Sequence, residues 1–412
     1  MTANPSSTAK SPPPVRVGLV GLGGYARGLI SVIRAGAPDT VLAAACDVAP
    51  DQHPDAVREL EAEGAQVFTG LDAMLDAHRR GDTPLDAAWL PVPIHLHQPF
   101  TEQCLDAGLA VMVEKPAAGS LAEVDAMRSV RDRTGLPVLV GFQDMYFPES
   151  YDAKRRLLDG AIGRVQRVGL FASWPRTSAY YGRNAWAGKV RHGDDWVCDS
   201  PLNNALSHPV HLALFMVGPS LHKGAKVVGL DAELYRANPI ESFDTCSVRL
   251  RTDTDVDITV CFTHACADNL GPITTYHGED GTLVATHGDL RFKINDRSAT
   301  DIIIQRDMAG LPRRLAAAVR GAETQASPCA TLETAREHTA VVEALHGSVA
   351  IHSVPDASIR VVSRDDANLR TLPGIEAALQ TCSEQGRLLS ELHDGEHAMP
   401  WAQPGTHGVQ LV

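Results

Sequence analysis

Lys115 stands between Glu114 and Pro116, directly after the apolar run Ala110–Val113. An ammonium group there can hydrogen-bond a hydroxyl and stabilise the alkoxide character that develops as hydride leaves the attached carbon. The competing reading is a solvated loop lysine. Further on, Asn204, His208 and His211 recur at i, i+4 and i+7, one face of a helix expected over Leu202–Val217. A histidine on that face can take a hydroxyl proton near neutral pH. The same two histidines could instead bind a metal, although no third ligand is evident and none is assigned, or they could be core or capping groups. The segment Trp174 to Trp196 is dense in Trp, Tyr, Arg and His, groups that stack on sugar rings and hydrogen-bond hydroxyls. Arg176, Tyr181 and Arg183 are its candidate substrate contacts; a structural loop or an oligomer contact is the plainer alternative.

These groups need a scaffold, and the first one is written between Val15 and Asp47. The apolar run Val15–Val20 has the character of a buried parallel strand. It enters the turn Gly21-Leu22-Gly23-Gly24-Tyr25-Ala26, followed by a helical segment through about Arg34 and a second strand over Val41–Ala45. In this G-x-G-x-x-A turn Gly21 permits the tight bend, Gly23 lets a pyrophosphate approach the backbone, and Ala26 allows close helix–strand packing. Gly24 and Tyr25 open the helix, whose N-terminal N–H groups suit phosphate. Asp47 follows roughly 20 residues on, where a carboxylate accepts bonds from ribose hydroxyls and repels a 2′-phosphate. This implies a dinucleotide site, with NAD favoured over NADP. A Gly-rich turn in an unrelated α/β unit is the alternative.

The 412 residues suffice for two cores. A composition 44% hydrophobic and 21% charged is that of a soluble globular protein. The formal charge of −13, with no basic run to offset it, excludes nucleic acid and anionic membrane as main partners. No apolar run approaches the roughly 20 residues of a membrane span. The polar N-terminus has no apolar signal core, and the eight cysteines lack C-x-x-C spacing, so a cytoplasmic protein without disulfides or a zinc cluster is expected.

Strands alternate with helices up to Gly141, with helices expected at Pro54–Glu63, Leu71–Arg80, Gln98–Ala107 and Leu121–Thr134. That rhythm predicts a doubly wound parallel sheet, a Rossmann domain over residues 15–141 behind a flexible tail at 1–14. Longer, partly alternating strands then follow, from Gln166–Trp174 to Thr282–Ala285. They predict a mostly antiparallel open-sheet α+β domain over 142–355, one face covered by helices. A C-terminal extension, 356–412, holds a possible strand at Ile359–Val362 and a helix at Gly374–Leu392.

With these residues in view, the chain resembles the Gfo/Idh/MocA family of NAD(P)-dependent oxidoreductases over about Val15 to Pro355. The resemblance rests on the glycine turn, on Pro93-Ile94-His95-Leu96-His97, and on Ala107-Gly108 leading to Glu114-Lys115-Pro116. Gly141-Phe142-Gln143 with Pro148, the 202–218 segment and Gly278-Glu279-Asp280-Gly281 add to it. It implies that Lys115 is the active-site lysine, that Pro93 and His97 lie beside the cofactor, and that Glu114 touches the nicotinamide ribose region. Gln143 is implied as a substrate contact. The family's second-domain helix usually carries Asp-x-x-x-His with the histidine as acid/base; here His208 matches the histidine, but Asn204 holds the Asp position. A position often Asp aligns with His211. A neutral amide does not stabilise an imidazolium as a carboxylate does, and Asp199 and Asp195 are the upstream carboxylates able to supply that charge. The implied activity is hydride transfer between nicotinamide and a secondary hydroxyl of a sugar, cyclitol or related polyol. NAD-dependent glycoside hydrolysis and non-catalytic NAD or sugar sensing are the other activities this fold supports. A homodimer or homotetramer is the implied assembly.

Overall fold

The computed structural model describes residues 12–286, 289–294, 297–322, 329–392 and 397–411. Of the expected flexible tail over 1–14, residues 1–11 lie outside the described residues. The N-terminal half runs β1 (Val15–Val20), α1 (Tyr25–Ala35), β2 (Thr40–Asp47), α2 (Pro54–Ala62), β3 (Gln66–Thr69) and α3 (Leu71–Arg80). It continues with β4 (Ala87–Leu90), α4 (His97–Asp106), β5 (Ala110–Val113), α5 (Leu121–Thr134) and β6 (Val138–Val140). The strands lie in the order β3-β2-β1-β4-β5-β6, every pair parallel. This is the doubly wound dinucleotide-binding topology, with its switch point between β1 and β4. Strands β4, β5 and β6 are buried throughout, because helices cover both faces. Local signals set the helix ends: Ser120 and Glu123 form a reciprocal capping box before α5, and left-handed Gly135 closes it.

The second half begins with α6 (Pro148–Leu158), β7 (Val165–Ser173), α7 (Ser178–Tyr181), the short pair β8 (Arg191–His192) and β9 (Asp195–Trp196), and α8 (Ser207–Met216). Strands β10 (Val227–Arg236), β11 (Thr245–Thr252), β12 (Asp257–Thr263), β13 (Leu270–Gly278), β14 (Gly281–Ala285), β15 (Asp289–Ile294) and β16 (Arg297–Ile303) follow. Then come α9 (Gly310–Val319), α10 (Leu332–Ser348), β17 (Ile351–Ser353), the hairpin β18 (Arg360–Arg364) and β19 (Ala367–Thr371), α11 (Ile375–Gln385) and β20 (Thr406–Gln410). The large sheet has the order β16-β15-β14-β13-β7-β12-β11-β10-β17, and β20 also pairs with β10. All its pairs are antiparallel except β7–β12 and β10–β17, so the expected mostly antiparallel domain is found.

Four expectations are corrected. The single helix over Leu202–Val217 is two pieces: a π-helical turn, Pro201–Ala205, and then α8, separated by Leu206 at φ −117°. Ser200 caps the first piece through the Asn203 N–H, so the backbone restarts rather than continues. Asn204 therefore lies outside the helix that carries His208 and His211. Strands β15 and β16 were not expected, since charged residues interrupt both. The helix expected over Gly374–Leu392 ends at Gln385, where Gly386 adopts φ +71°. Finally, helices do not cover one face of the large sheet alone. Val168, Leu170 and Val260 point into the core shared with the rest of the molecule, while the alternate residues Phe171 and Cys261 pack against Ile375, Leu379 and Cys382 of α11. The chain's own C-terminal residues thus cover the centre of the outer face of the large sheet.

Candidate active site

The strand ends β1, β2, β4 and β5 open on one crevice. At β1, Gly21 (φ +111°) and Gly24 (φ +55°) hold conformations that side chains resist. A Cβ on Gly23 would lie 2.8 Å from the His53 ring, so the turn is cut to backbone thickness where a pyrophosphate would rest. Asp47, at the end of β2, accepts from the Leu22 N–H at 2.9 Å and the Ala49 N–H at 2.9 Å, and His53 Nε2 stands 3.8 Å away. The carboxylate is thereby fixed beside the turn, where an adenosine ribose would lie. Ala26 is buried against β1 and Tyr25 is largely exposed at the rim. These residues fit a bound dinucleotide.

At the next strand end, His97 clamps two loops together. Its Nδ1 faces the Pro116 carbonyl at 2.8 Å and its Nε2 faces the Val92 carbonyl at 2.9 Å, next to Pro93. Burial holds its pKa down at about 4 against those carbonyls. Glu114 is buried, accepts from Trp89 Nε1 at 3.1 Å, and packs against Gly141, where a Cβ would come within 2.7 Å of the carboxylate. Burial raises its pKa, opposed by the Trp89 bond and the Lys115 charge. Lys115 donates through Nζ to the backbone carbonyl of Asn204 at 2.9 Å, which ties the end of β5 to the second domain. Burial lowers the lysine pKa, while Glu114 and Asp199 raise it.

Asp199 is buried, accepting from the Gly188 N–H at 2.7 Å and from Asn204 Nδ2 at 2.8 Å, with Arg183 at 3.5 Å. Of the two upstream carboxylates, Asp199 is the one brought to the centre; Asp195 sits on β9 and acts on His95 and Glu123 instead. The charge absent at Asn204 is therefore delivered to Lys115. Arg183 also lies over Tyr180, its Cζ 3.7 Å from the ring centroid. The Tyr181 hydroxyl is buried without a hydrogen-bond partner.

His208 lines a narrow cavity of about 80 Å³ together with Gln143, Asp144, Trp174, Thr274 and Arg306. Its pKa is pushed far below the usual imidazole value by burial and by the nearby Lys115 charge. His211 does not line this cavity: its ring stacks flat on Phe142 with centroids 3.9 Å apart. Phe142 also meets His208 and His338 edge-on, at 5.8 and 5.6 Å, so the residue after β6 and Gly141 organises three histidines from two helices. Sequence reasoning missed three groups here. Asp144, whose pKa burial raises to about 6, directly follows Gly141-Phe142-Gln143; His338 and Arg306 come from remote segments that carry no local signal. Among the described residues no group of three His, Cys, Asp or Glu side chains is set to hold a metal ion.

This neutral histidine cluster has a measurable consequence. His97 and His338 are held at about 4 and His264 at about 3, all by burial, and His208 and His211 lie well below the usual value. Because folding depresses these values, their stability contribution is present above about pH 6.5 and is lost as pH falls toward 4, where the unfolded chain binds protons the folded one refuses. Each such histidine gives a slope of about 1.4 kcal/mol per pH unit. Calorimetry is expected to show Tm dropping steeply between pH 7 and 5; a flat profile would place these rings in contact with solvent.

Comparison with known proteins agrees with this architecture. Residues 15–142 match the family model described as the Gfo/Idh/MocA oxidoreductase family, NAD-binding Rossmann fold. A dTDP-3,4-didehydro-2,6-dideoxy-alpha-D-glucose 3-reductase from Streptomyces antibioticus is 27% identical over 173 residues, 42% of this chain and 48% of that protein. The chain thus spans about half the length of the curated relatives it matches. The WlbA dehydrogenase of Bordetella pertussis, solved with NADH and UDP-GlcNAcA, superposes with a TM-score of 0.66 at 24% identity, over 81% of this chain and 96% of its own. KijD10, a 3-ketoreductase of Actinomadura kijaniata solved with NADP and TDP-benzene, has a TM-score of 0.67 at 19% identity, over 83% of this chain and 100% of its own. Both share the fold. Among the described residues no helix is long and apolar enough to cross a membrane.

Proposed function

We propose that this chain, whose residues 15–142 match the NAD-binding Rossmann-fold model of the Gfo/Idh/MocA oxidoreductase family, is an NAD-dependent dehydrogenase acting on a secondary hydroxyl of a sugar, cyclitol or related polyol. The observation that carries the proposal is Lys115, partly buried at the end of β5 with its ammonium fixed by the Asn204 carbonyl of the second domain at 2.9 Å. The bound dinucleotide supplies the acceptor for hydride. Lys115 donates a hydrogen bond to the substrate oxygen and stabilises negative charge there as the C–H bond breaks. His208, neutral at pH 7, has its Nδ1 unpartnered and takes the hydroxyl proton. The protonated ring is a strong acid in this setting, so it passes the proton on, and Asp144 in the same cavity is ionised above about pH 6 to receive it. Gln143, Arg176, Tyr181 and Arg183 are assigned to the substrate side, and Asn204 acts by holding Lys115 and Asp199. His211 is assigned to packing against Phe142.

The test is absorbance at 340 nm with added NAD across sugars, inositols and sugar acids. Stoichiometric NADH formation with one class supports the dehydrogenase. NAD-requiring release of a leaving group from glycosides without net reduction would replace it with hydrolysis. Asp47 bears on the cofactor: its charge opposes a 2′-phosphate, and the relatives bind either dinucleotide. Asp47→Ser is expected to cut the NAD-over-NADP preference in kcat/KM at least tenfold, about 1.4 kcal/mol; an unchanged ratio would remove Asp47 from cofactor choice.

A further inference from the structure

Beside the His208 cavity lies a second one of about 530 Å³, and Trp174 lines both. The first is smaller than the roughly 300–1,000 Å³ of small-molecule sites, so it admits only the reacting end of a substrate. The second is large enough for the remainder. Arg176, Tyr180, Asn269, Arg364 and Asp365 are among the residues that line it. The Arg176 guanidinium lies over Tyr180, 4.6 Å from the ring centroid, and its Nε is buried without a hydrogen-bond partner. Among the described residues neither Arg176 nor Arg364 stands within ion-pair distance of a carboxylate, although neighbouring Arg183 is held by Asp199. Two guanidinium groups against one carboxylate, Asp365, leave the cavity lining net positive in a chain of formal charge −13.

The framing of the cavity is rigid. Trp174 donates its N–H to the Thr263 carbonyl at 2.9 Å and accepts from His264 Nδ1 at 2.8 Å. Arg364 comes from the β18–β19 hairpin, whose two loop residues, Asp365 and Asp366, have φ of 51° and 59°, the handedness of a tight type I′ turn. That hairpin docks on α7, where Thr177 bridges to Leu369 and Ser178 Oγ accepts from the Asn368 N–H at 3.1 Å. The C-terminal extension therefore supplies one of the two cations. Paired guanidinium groups bind planar oxyanions well, and the flanking aromatic faces suit a sugar or a base.

We propose that this cavity is the subsite for an anionic group, a carboxylate or a phosphate, carried by the substrate away from its reacting carbon, so that the substrate class is anionic sugar derivatives. The proposal rests on the reading that the reacting carbon lies at His208. The test is titration calorimetry on the full-length protein saturated with NADH, comparing glucose with glucuronate, glucose 6-phosphate and UDP-glucose. At least one anionic sugar is expected to bind tenfold or more tightly than glucose, and the arm that does so identifies carboxylate, monophosphate or diphosphate. Arg364→Ser, at the exposed end of β18, and Arg176→Gln are each expected to remove that preference while leaving NADH affinity unchanged. Equal affinity for glucose and all three anions, or a preference that survives both substitutions, overturns the subsite. Turnover is read separately at 340 nm: anion preference without NADH formation keeps the subsite and rejects the dehydrogenase.

Discussion

Lys115→Met is expected to lower kcat by about 10²–10³-fold, the usual loss when one donor to a developing oxyanion is removed, while NADH affinity, followed by its fluorescence, changes less than tenfold. Methionine preserves the length and apolar stem of the side chain, so the buried space stays filled. What disappears is the charge held by Glu114 and Asp199 and the bond to the Asn204 carbonyl. Those two carboxylates then lose their shared cation, and the substrate oxygen meets no donor from β5. Lys115→Arg is expected to fail as well, because a planar guanidinium cannot occupy a point donor's place in a closed site. A Lys115→Met protein that kept kcat within tenfold of the parent would show that the oxygen is polarised elsewhere.

The largest expected effect on stability comes from stopping the chain after Ser353. Leu372, Ile375, Leu379 and Leu389 are buried against the outer face of the large sheet, each contributing roughly 1.5–3 kcal/mol. Their combined contribution rivals the 5–15 kcal/mol by which a domain is stable at all. The same deletion strips Glu233, a fully buried carboxylate, of the Ser390 N–H at 3.0 Å and the Ser390 hydroxyl at 2.5 Å. Tyr235 and Ser247 remain as donors, at 3.0 and 3.2 Å, which does not replace them. The truncated protein is expected to be recovered aggregated, and the milder Leu379→Ala to unfold with a stability loss of about 2–5 kcal/mol. Recovery of a soluble truncated protein with an unchanged Tm would make the extension an appendage.

How much of this was legible in the sequence depended on how local the deciding interaction is. Helix α5 could be delimited at both ends because Ser120, Glu123 and Gly135 carry its termini within one turn of themselves. The glycine turn, Asp47 and Lys115 are legible for the same reason: their positions follow from the strand that precedes each. The break at Leu206 was not, because the periodicity of Asn204, His208 and His211 is that of an uninterrupted helix, and the restart depends on Ser200 and on packing of distant segments. Nor does any local pattern bring His338 from α10 to Phe142, or Arg364 from the extension to the cavity at Arg176. Strands β7 and β12 looked only partly alternating because both of their faces are buried, each against a different layer, and burial on two sides erases the period-2 signal.

Strand β10 receives partners from two separated stretches of chain. Its residues Leu234–Arg236 pair with β17, and Gly229–Ala232 pair with β20, whose residues run to Gln410. One margin of the sheet is therefore closed only when segments about fifty residues apart have both arrived, the later one after α11 has been laid across the opposite strands. Pairing at such sequence distance is entropically costly before it is rewarded. During synthesis the second domain must wait with an unpaired strand margin and an uncovered apolar face, whereas the β1–β6 sheet holds all its strands by residue 140. The order of assembly is thus asymmetric: the β1–β6 sheet can complete early, and the second half is the part whose strand margin and apolar face stay uncovered longest.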